Sequence, residues 1–410
     1  MNDFSRPCKK IRRVKKVFSL IASCLFVHFL LAQDSCRFQI SLLTCTPGEE
    51  LYSTFGHSAL RVTDSSSGAD IIYNYGTFDF DDPNFYSKFT RGKLLYFVSI
   101  EGFENFMKAY EYEQRGITEQ VLNLSCEEKE KLVNALKENA KDENKYYKYD
   151  FVVDNCTTRL RDMVFKNSDS PVVTKNIRPK IRITFRNLIH ENLDKSYQYW
   201  SKLGIDALLG NPVDKKISNN EAMFLPDYLL KGFDSTKANG KPLVSAKNEI
   251  LRGNLAIEKA PLLSPFAVFT ILFLFIAVLM FMRTSNRFFA VFDFILFFLA
   301  GTLGILILFM WFGTDHPECK NNFNITWAFP LHFLIVFFIF QKWHWLRYYF
   351  LVSSIILLLL LLLWKWIPQE MNNASIPVVA LLLLRSAARY KKFNNDHRKN
   401  TGLSEKKNFL

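Results

Sequence analysis

The chain of 410 residues is long enough for two or three domains, and its composition divides near residue 260, soluble before and dominated by apolar runs after. Its formal net charge of +13 sits at the ends: residues 1–16 carry seven Lys/Arg and one Asp, residues 385–410 eight Lys/Arg and two acids, and the 368 residues between them net +1. Basic tails flanking apolar segments follow the positive-inside pattern. With no basic face interleaved with aromatics left over, nucleic-acid binding is excluded.

In chain order, a basic stretch runs into an apolar one over Val17 to Ala32, which reads as a secretory signal peptide or an uncleaved anchor over residues 1–33. Short β-type runs follow: "RFQISLLTC", "SALRVTD", "DIIYNYGTF" and "LLYFVSI". Helices are expected near 101–113 and 126–140, the second opened by the capping box Ser125-x-x-Glu128, with "ITEQVLNL" as a strand between them. In "FVVDNCTTRLRD", the capping residues Asp154 and Asn155 precede Cys156, and Leu160, Met163 and Val164 recur at helical spacing. Cys156 therefore belongs in the first turn of an amphipathic helix, where the macrodipole and free N–H groups favour a thiolate. Residues 170–260 are mixed. The class is α+β, a small antiparallel sheet with helices packed on it, over residues 34–260.

A C-terminal all-α bundle of about five transmembrane helices is expected next, over 261–388. Strong spans lie at 262–282, 288–312, 325–340 and 348–364, and a shorter one at 376–384 extends into "RSAARY" by snorkelling. "RTSNR" and "QKWHWLR" are basic and belong inside; "GTDHPECKNNFN" and "KWIPQEMNNAS" belong outside. The 34–260 domain then faces the periplasm or cell exterior, and the basic tail 389–410 is cytoplasmic. Trp311, Trp327, Trp364 and Trp366 fall near the outer interface. Asp293 and His332 lie within spans and are candidates for function or for structural pairing.

The soluble domain has four cysteines, 36, 45, 126 and 156, without a C-x-x-C or a zinc spacing, so no metal is expected. In an exported domain the bland reading is disulfides, such as Cys36–Cys45 or Cys126–Cys156. Of the two histidines, His190 in "NLIHENL" reads as structural. His57 follows Gly56 at a strand entry, where an imidazole is placed to project from a sheet edge. A strand-borne imidazole facing a cysteine at a helix N-terminus is an arrangement that activates thiol nucleophiles.

"SLLTCTPGEELYSTFGHSALRV", "YNYGTFDFDDPNFYSKFTRGKLLYFVS" and "DNCTTRLRD" together resemble the Lnb family of bacterial lipoprotein N-acyltransferases, and "TFRNLI", "LGIDALLG" and "FLPDYLL" continue the likeness. The resemblance implies a permuted papain-like, NlpC-type periplasmic fold in which the histidine strand precedes the cysteine helix. It implies Cys156 as nucleophile and His57 as base, with no cofactor. The third polar residue expected on the next strand falls in "IIYNYG", as Asn74 or Tyr75. The backbone N–H of Thr157, or that of Cys156, is the expected oxyanion donor, and His316 and Asn324 in the outer loop are expected to position a lipid head group. The implied donor is a membrane phospholipid, the implied acceptor a diacylated lipoprotein, and the implied location the bacterial inner membrane. Two other readings stay open: a membrane-anchored NlpC-type peptidoglycan endopeptidase or amidase, and a non-enzymatic, disulfide-stapled membrane factor.

Overall fold

The computed structural model describes residues 36–50, 53–169, 171–179, 182–254, 262–282, 285–341 and 343–400, so the expected signal or anchor segment lies outside the described residues. The sheet-bearing part contains β1 (Phe38–Cys45), β2 (His57–Asp64), β3 (Ala69–Thr77), α1 (Phe85–Thr90), β4 (Leu95–Gly102), α2 (Phe103–Tyr112), β5 (Ile117–Leu122), α3 (Cys126–Asn139), β6 (Tyr146–Lys148) and α4 (Cys156–Lys166). These are followed by β7 (Val172–Thr174), α5 (Phe185–Lys195), α6 (Tyr199–Leu208), α7 (Asn219–Ala222), α8 (Pro226–Ser235), β8 (Thr236–Ala238), β9 (Lys241–Pro242) and β10 (Val244–Leu251). Seven strands form one antiparallel sheet in the order β10-β5-β1-β2-β3-β4-β6.

Strand periodicity sorts the side chains between two cores. Ile40, Leu42, Leu60, Val62, Tyr73 and Tyr75 pack with Leu132 and Leu136 of α3, Leu160 of α4 and Phe233 of α8. Their neighbours Leu43, Ala59 and Ile72 point the other way and pack on Phe106 and Tyr110 of α2. Both faces are covered, which accounts for the nearly unbroken burial of β1. β10 was not legible as a strand: "VSAKNEIL" is polar and mostly exposed, as an edge strand is.

The cysteines pair differently from the expectation. Cys36 is bonded to Cys126, with Cα atoms 5.2 Å apart, and Cys45 and Cys156 are free and buried. The partners are 90 residues apart in sequence and meet only because α3 packs across the start of β1.

The C-terminal part contains α9 (Pro265–Phe281), α10 (Asn286–Phe312), α11 (Leu331–Ile335), α12 (Leu346–Leu362) and α13 (Ser375–Asn400). Among the described residues α10 alone is both long and apolar enough to cross a membrane. The expected third span is not one helix. It is broken into a 3₁₀ turn at Phe323–Thr326, α11, and another 3₁₀ turn at Val336–Phe338. Pro330 lacks an N–H for a continuing helix, and this backbone presses into small residues of α10: a Cβ on Gly304 would stand 1.9 Å from the Ala328 carbonyl oxygen. α13 continues past residue 388, so the basic tail begins as helix. Arg385 does not snorkel. It is buried against Asp293 (2.6 Å), which also binds Arg389, so the intramembrane acid is paired within the bundle.

The two parts are joined at the end of α6. The last carbonyls of a helix have no partner inside it, and here amides from the outer loops supply them. Asn324 Nδ2 donates to Asp206 O (2.9 Å), Asn322 Nδ2 to Ala207 O (2.9 Å) and Leu208 O (3.0 Å), and Gln369 Nε2 to Leu209 O (3.0 Å). Asn324 is therefore a buried clasp. Its Oδ1 accepts from Trp327 Nε1 (3.0 Å), which leaves no amide for the lipid head group expected from the sequence.

Candidate active site

The site forms at one end of β2 and β3. Gly56, at φ +80°, turns the chain into β2, and a Cβ there would lie 2.7 Å from the Cys45 carbonyl oxygen. This entry places His57 at the strand's first position. His57 Nε2 is 2.6 Å from Asn74 Oδ1, and Asn74 Nδ2 donates to Glu101 Oε1 (3.1 Å). Because a carboxylate only accepts, Asn74 must turn its amino group to Glu101 and its oxygen to the ring. Nε2 then carries the proton, and Nδ1 is left as the basic nitrogen. Tyr75, the alternative orienter, faces the other way: it is buried and its hydroxyl bonds Asn139 Oδ1 (2.6 Å).

Cys156 arrives from the opposite element, as the first residue of α4. Asn155 is its cap: Oδ1 accepts from Thr157 N (2.9 Å) and Thr158 N (3.0 Å), and Nδ2 donates to Phe151 O (2.6 Å) and Phe224 O (2.9 Å). Phe224 belongs to the "FLPDYLL" stretch, which thus locks the start of the cysteine helix. Thr157 N–H, one of the oxyanion donors expected from the sequence, is shared with this cap. The N–H groups of Ser58, Cys156 and Thr157 face the sulfur.

The two halves meet over Gly76, at φ +90°. A Cβ at that position would lie 3.5 Å from Cys156 Cβ, 3.7 Å from Tyr149 Cε2 and 4.0 Å from His57 Cε1. A side chain there would fill the space onto which thiol, imidazole and phenol ring converge. Burial pushes the Cys156 thiol up to about 11 despite the backbone N–H groups that favour its thiolate. Burial likewise pushes His57 down to about 4, against the Asn74 bond. Desolvation thus works against the helix terminus and holds both groups towards their neutral forms.

Several residues at the site escaped the sequence reading. Glu101 fixes the Asn74 amide, and its only sequence signal is an acid at the end of an apolar strand. Tyr149 forms one wall. Ser58 Oγ and Tyr147 Oη are buried there without a hydrogen-bond partner. His316, expected at a lipid, is instead in contact with the chain: its Nε2 lies 3.3 Å from Phe89 O, in the β3–β4 connection. Among the described residues no group of three or more His, Cys, Asp or Glu side chains could hold a metal ion.

Compared with known proteins, residues 27–190 match the family model of the Lnb N-terminal periplasmic domain, and residues 257–396 match that of the Lnb transmembrane domain. No curated protein and no solved structure matches the chain.

Proposed function

The chain belongs to the Lnb family, a membrane protein with a periplasmic part, and from that premise we propose that it is a lipoprotein N-acyltransferase with Cys156 as its acyl-carrying nucleophile. The observation that carries this reading is the convergence over Gly76 of a free cysteine and an imidazole whose tautomer is fixed by Asn74 and Glu101.

In this reading His57 Nδ1 takes the thiol proton as Cys156 Sγ attacks an ester carbonyl of a membrane phospholipid. The N–H groups of Cys156 and Ser58 face the developing oxyanion. Collapse breaks the C–O bond, His57 returns the proton to the departing alcohol oxygen, and a lysophospholipid leaves a thioester on Cys156. The α-amine of a lipoprotein's N-terminal diacylglyceryl cysteine then attacks. Its pKa of roughly 7.7–8.0 leaves a usable neutral fraction at pH 7. His57 takes a proton from the nitrogen, an amide forms, and the Cys156 thiol is regenerated.

The order of histidine strand, polar strand and cysteine helix agrees with a permuted NlpC-type fold. We assign the domain to 34–260 and five inner-membrane crossings to 261–388, made by α9, α10, the broken segment through α11, α12 and the first half of α13. The test is mass spectrometry of lipoprotein N-termini in cells with Cys156→Ala as the sole copy, together with trapping of the Cys156 thioester from labelled phospholipid. Retained N-acylation sinks the reading, and cleavage of wall peptides without a lipid-derived thioester replaces it with the peptidoglycan hydrolase.

A further inference from the structure

Between β3 and β4 the chain leaves the sheet for residues 78–94, and this connection is rich in aromatics that the mechanism above does not use. Phe80 is 65% exposed, Tyr86 80% and Phe89 52%, an unusual concentration for a surface in water. The connection is fastened to the outer end of α10. Asp315 N donates to Arg91 O (2.9 Å), His316 reaches Phe89 O, and Lys148 pairs with Asp315 (2.8 Å). Asp315 lies three residues beyond Phe312, the last residue of α10, where Trp311 and Phe312 stack at 5.1 Å. Aromatic pairs at the end of a spanning helix mark the level of the head groups, so the connection is held at that level. Arg91 and Lys93 are exposed on it, in place to meet lipid phosphates.

From this edge a line of rings leads inward. Phe89 stacks on Phe85 at 6.0 Å, Phe85 meets Phe80 at 5.0 Å, and Phe80 meets Phe78 at 4.9 Å. Phe78 meets Tyr96 at 5.4 Å, and Tyr96 stacks on Tyr149 at 4.4 Å. Tyr149 is the wall that faces the same point over Gly76 as Cys156. The rings thus run without a break from the membrane edge to the thiol.

Resting on the acyl-transfer reading, we propose that residues 78–94 dip into the periplasmic leaflet and that the ring line from Phe89 to Tyr149 binds an acyl chain of a membrane glycerophospholipid, bringing its ester to Cys156. Arg91 and Lys93 meet the phosphate on entry, and the lipid is then drawn along the apolar rings past that edge. The ester, lying between head and tail, is the part that arrives at the sulfur.

The test uses the full chain in vesicles of phosphatidylethanolamine and phosphatidylglycerol carrying radiolabelled acyl chains, with p-benzoylphenylalanine replacing Phe80 or, as control, Ser66. Ser66 is exposed in the β2–β3 turn at the far end of β3, about 25 Å along the strand. Lipid cross-linking at position 80 at least severalfold above position 66 is expected; equal labelling, or capture of lipoprotein in place of lipid at position 80, overturns the proposal. In parallel, F80S/F89S should lower thioester formation on Cys156 from vesicle phospholipid by about tenfold or more, and an unchanged rate overturns the track. Both side chains are exposed, so this variant leaves the fold intact. Strong lipid labelling at position 80 with no acyl group ever found on wild-type Cys156 supports the lipid surface and sinks the transfer chemistry, which separates the two failures.

Discussion

Two histidines of the periplasmic part each sit in a polar cluster, and the clusters are built on opposite principles. Around His190 every group is used. His190 Nε2 meets Asp206 Oδ1 (2.8 Å), Arg186 reaches Asp206 (2.7 Å), Asp214 (2.8 Å) and the carbonyls of Leu209 and Gly210, and Asn372 Nδ2 takes the remaining Asp206 oxygen (2.9 Å). Arg186 is fully buried, and its partners lie at the junction with the C-terminal part. Around His57 capacity is left over: a free thiol, an unprotonated Nδ1, and the unpartnered hydroxyls of Ser58 and Tyr147. A polar cluster that only holds a fold saturates its bonds, because an unmet buried group costs free energy. A cluster meant to act on a substrate keeps some bonds for it.

The contrast breaks most easily at the histidines themselves. His57→Ala should lower acyl transfer roughly 10²- to 10⁴-fold, the usual worth of a general base, and leave the melting temperature almost unchanged. Kinetics on the purified, folded protein would measure it; a variant that loses stability instead of rate would put His57 in the same class as His190.

Arg186→Ala should do the reverse. It strands Asp206 and Asp214 in a dry junction, and removing one partner of a buried ion pair costs about 3–5 kcal/mol. Chemical denaturation should register that loss, while any correctly folded fraction keeps its thioester chemistry. A negligible change in stability would show that the junction is wetter than its geometry implies.

A smaller effect is expected one bond further from the reaction. Asn74→Ala and Glu101→Gln do not touch the thiol; they free the imidazole to choose its tautomer. A loss on the order of 10- to 100-fold in rate, with unchanged substrate affinity, is expected. The telling readout is the nitrogen chemical shift of His57, which should move from a single Nε2–H tautomer to a mixture. A full-rate Asn74→Ala would leave the imidazole oriented by packing alone.

These residues also mark what the sequence could disclose. Short β-rich runs marked the strands from β1 to β5, and the Ser125 capping box marked α3, because local chemistry decides both. His57 was legible as an imidazole at a strand entry after Gly56, Cys156 since Asn155 announces a helix start, and Asn74 only through the family resemblance, with Tyr75 beside it as an alternative. Glu101 was not, because its role depends on a diagonal across β3 and β4: Ile72 pairs with Glu101, and Asn74 with Ser99. The Cys36–Cys126 bond depends on helix-to-sheet packing over 90 residues, which no spacing rule encodes. The pull of Cys156 towards its neutral form also follows from burial, a tertiary property, against a local feature that argues for the thiolate. The broken third span has the same origin, in the fit of one backbone against Gly301 and Gly304 of another helix.

The finest distinction between a saturated and an open cluster lies at Glu318, which belongs to neither. It rises from the outer loop, is buried, and faces Asp150, with its Oε1 lacking a partner. Asp150 holds the turn ahead of the cysteine helix, accepting from Val152 N (3.0 Å) and Val153 N (2.9 Å). Burial, and then the Asp150 carboxylate, push Glu318 up to about 8, with Cys319 beside it and Lys148 engaged by Asp315 close by. The folded protein thus keeps a proton there that an unfolded chain gives up near its ordinary value of about 4.3. Stability from this contact is therefore greatest at low pH, falls as pH rises between those two values, and is flat above about 8. Glu318→Gln supplies the neutral side chain at every pH, so the difference in melting temperature between variant and wild type should grow from pH 5 to pH 8 in the variant's favour. A difference that stays constant across that range would mean the two carboxyl groups never share the proton, and the turn before Cys156 would then be held from within the periplasmic part alone.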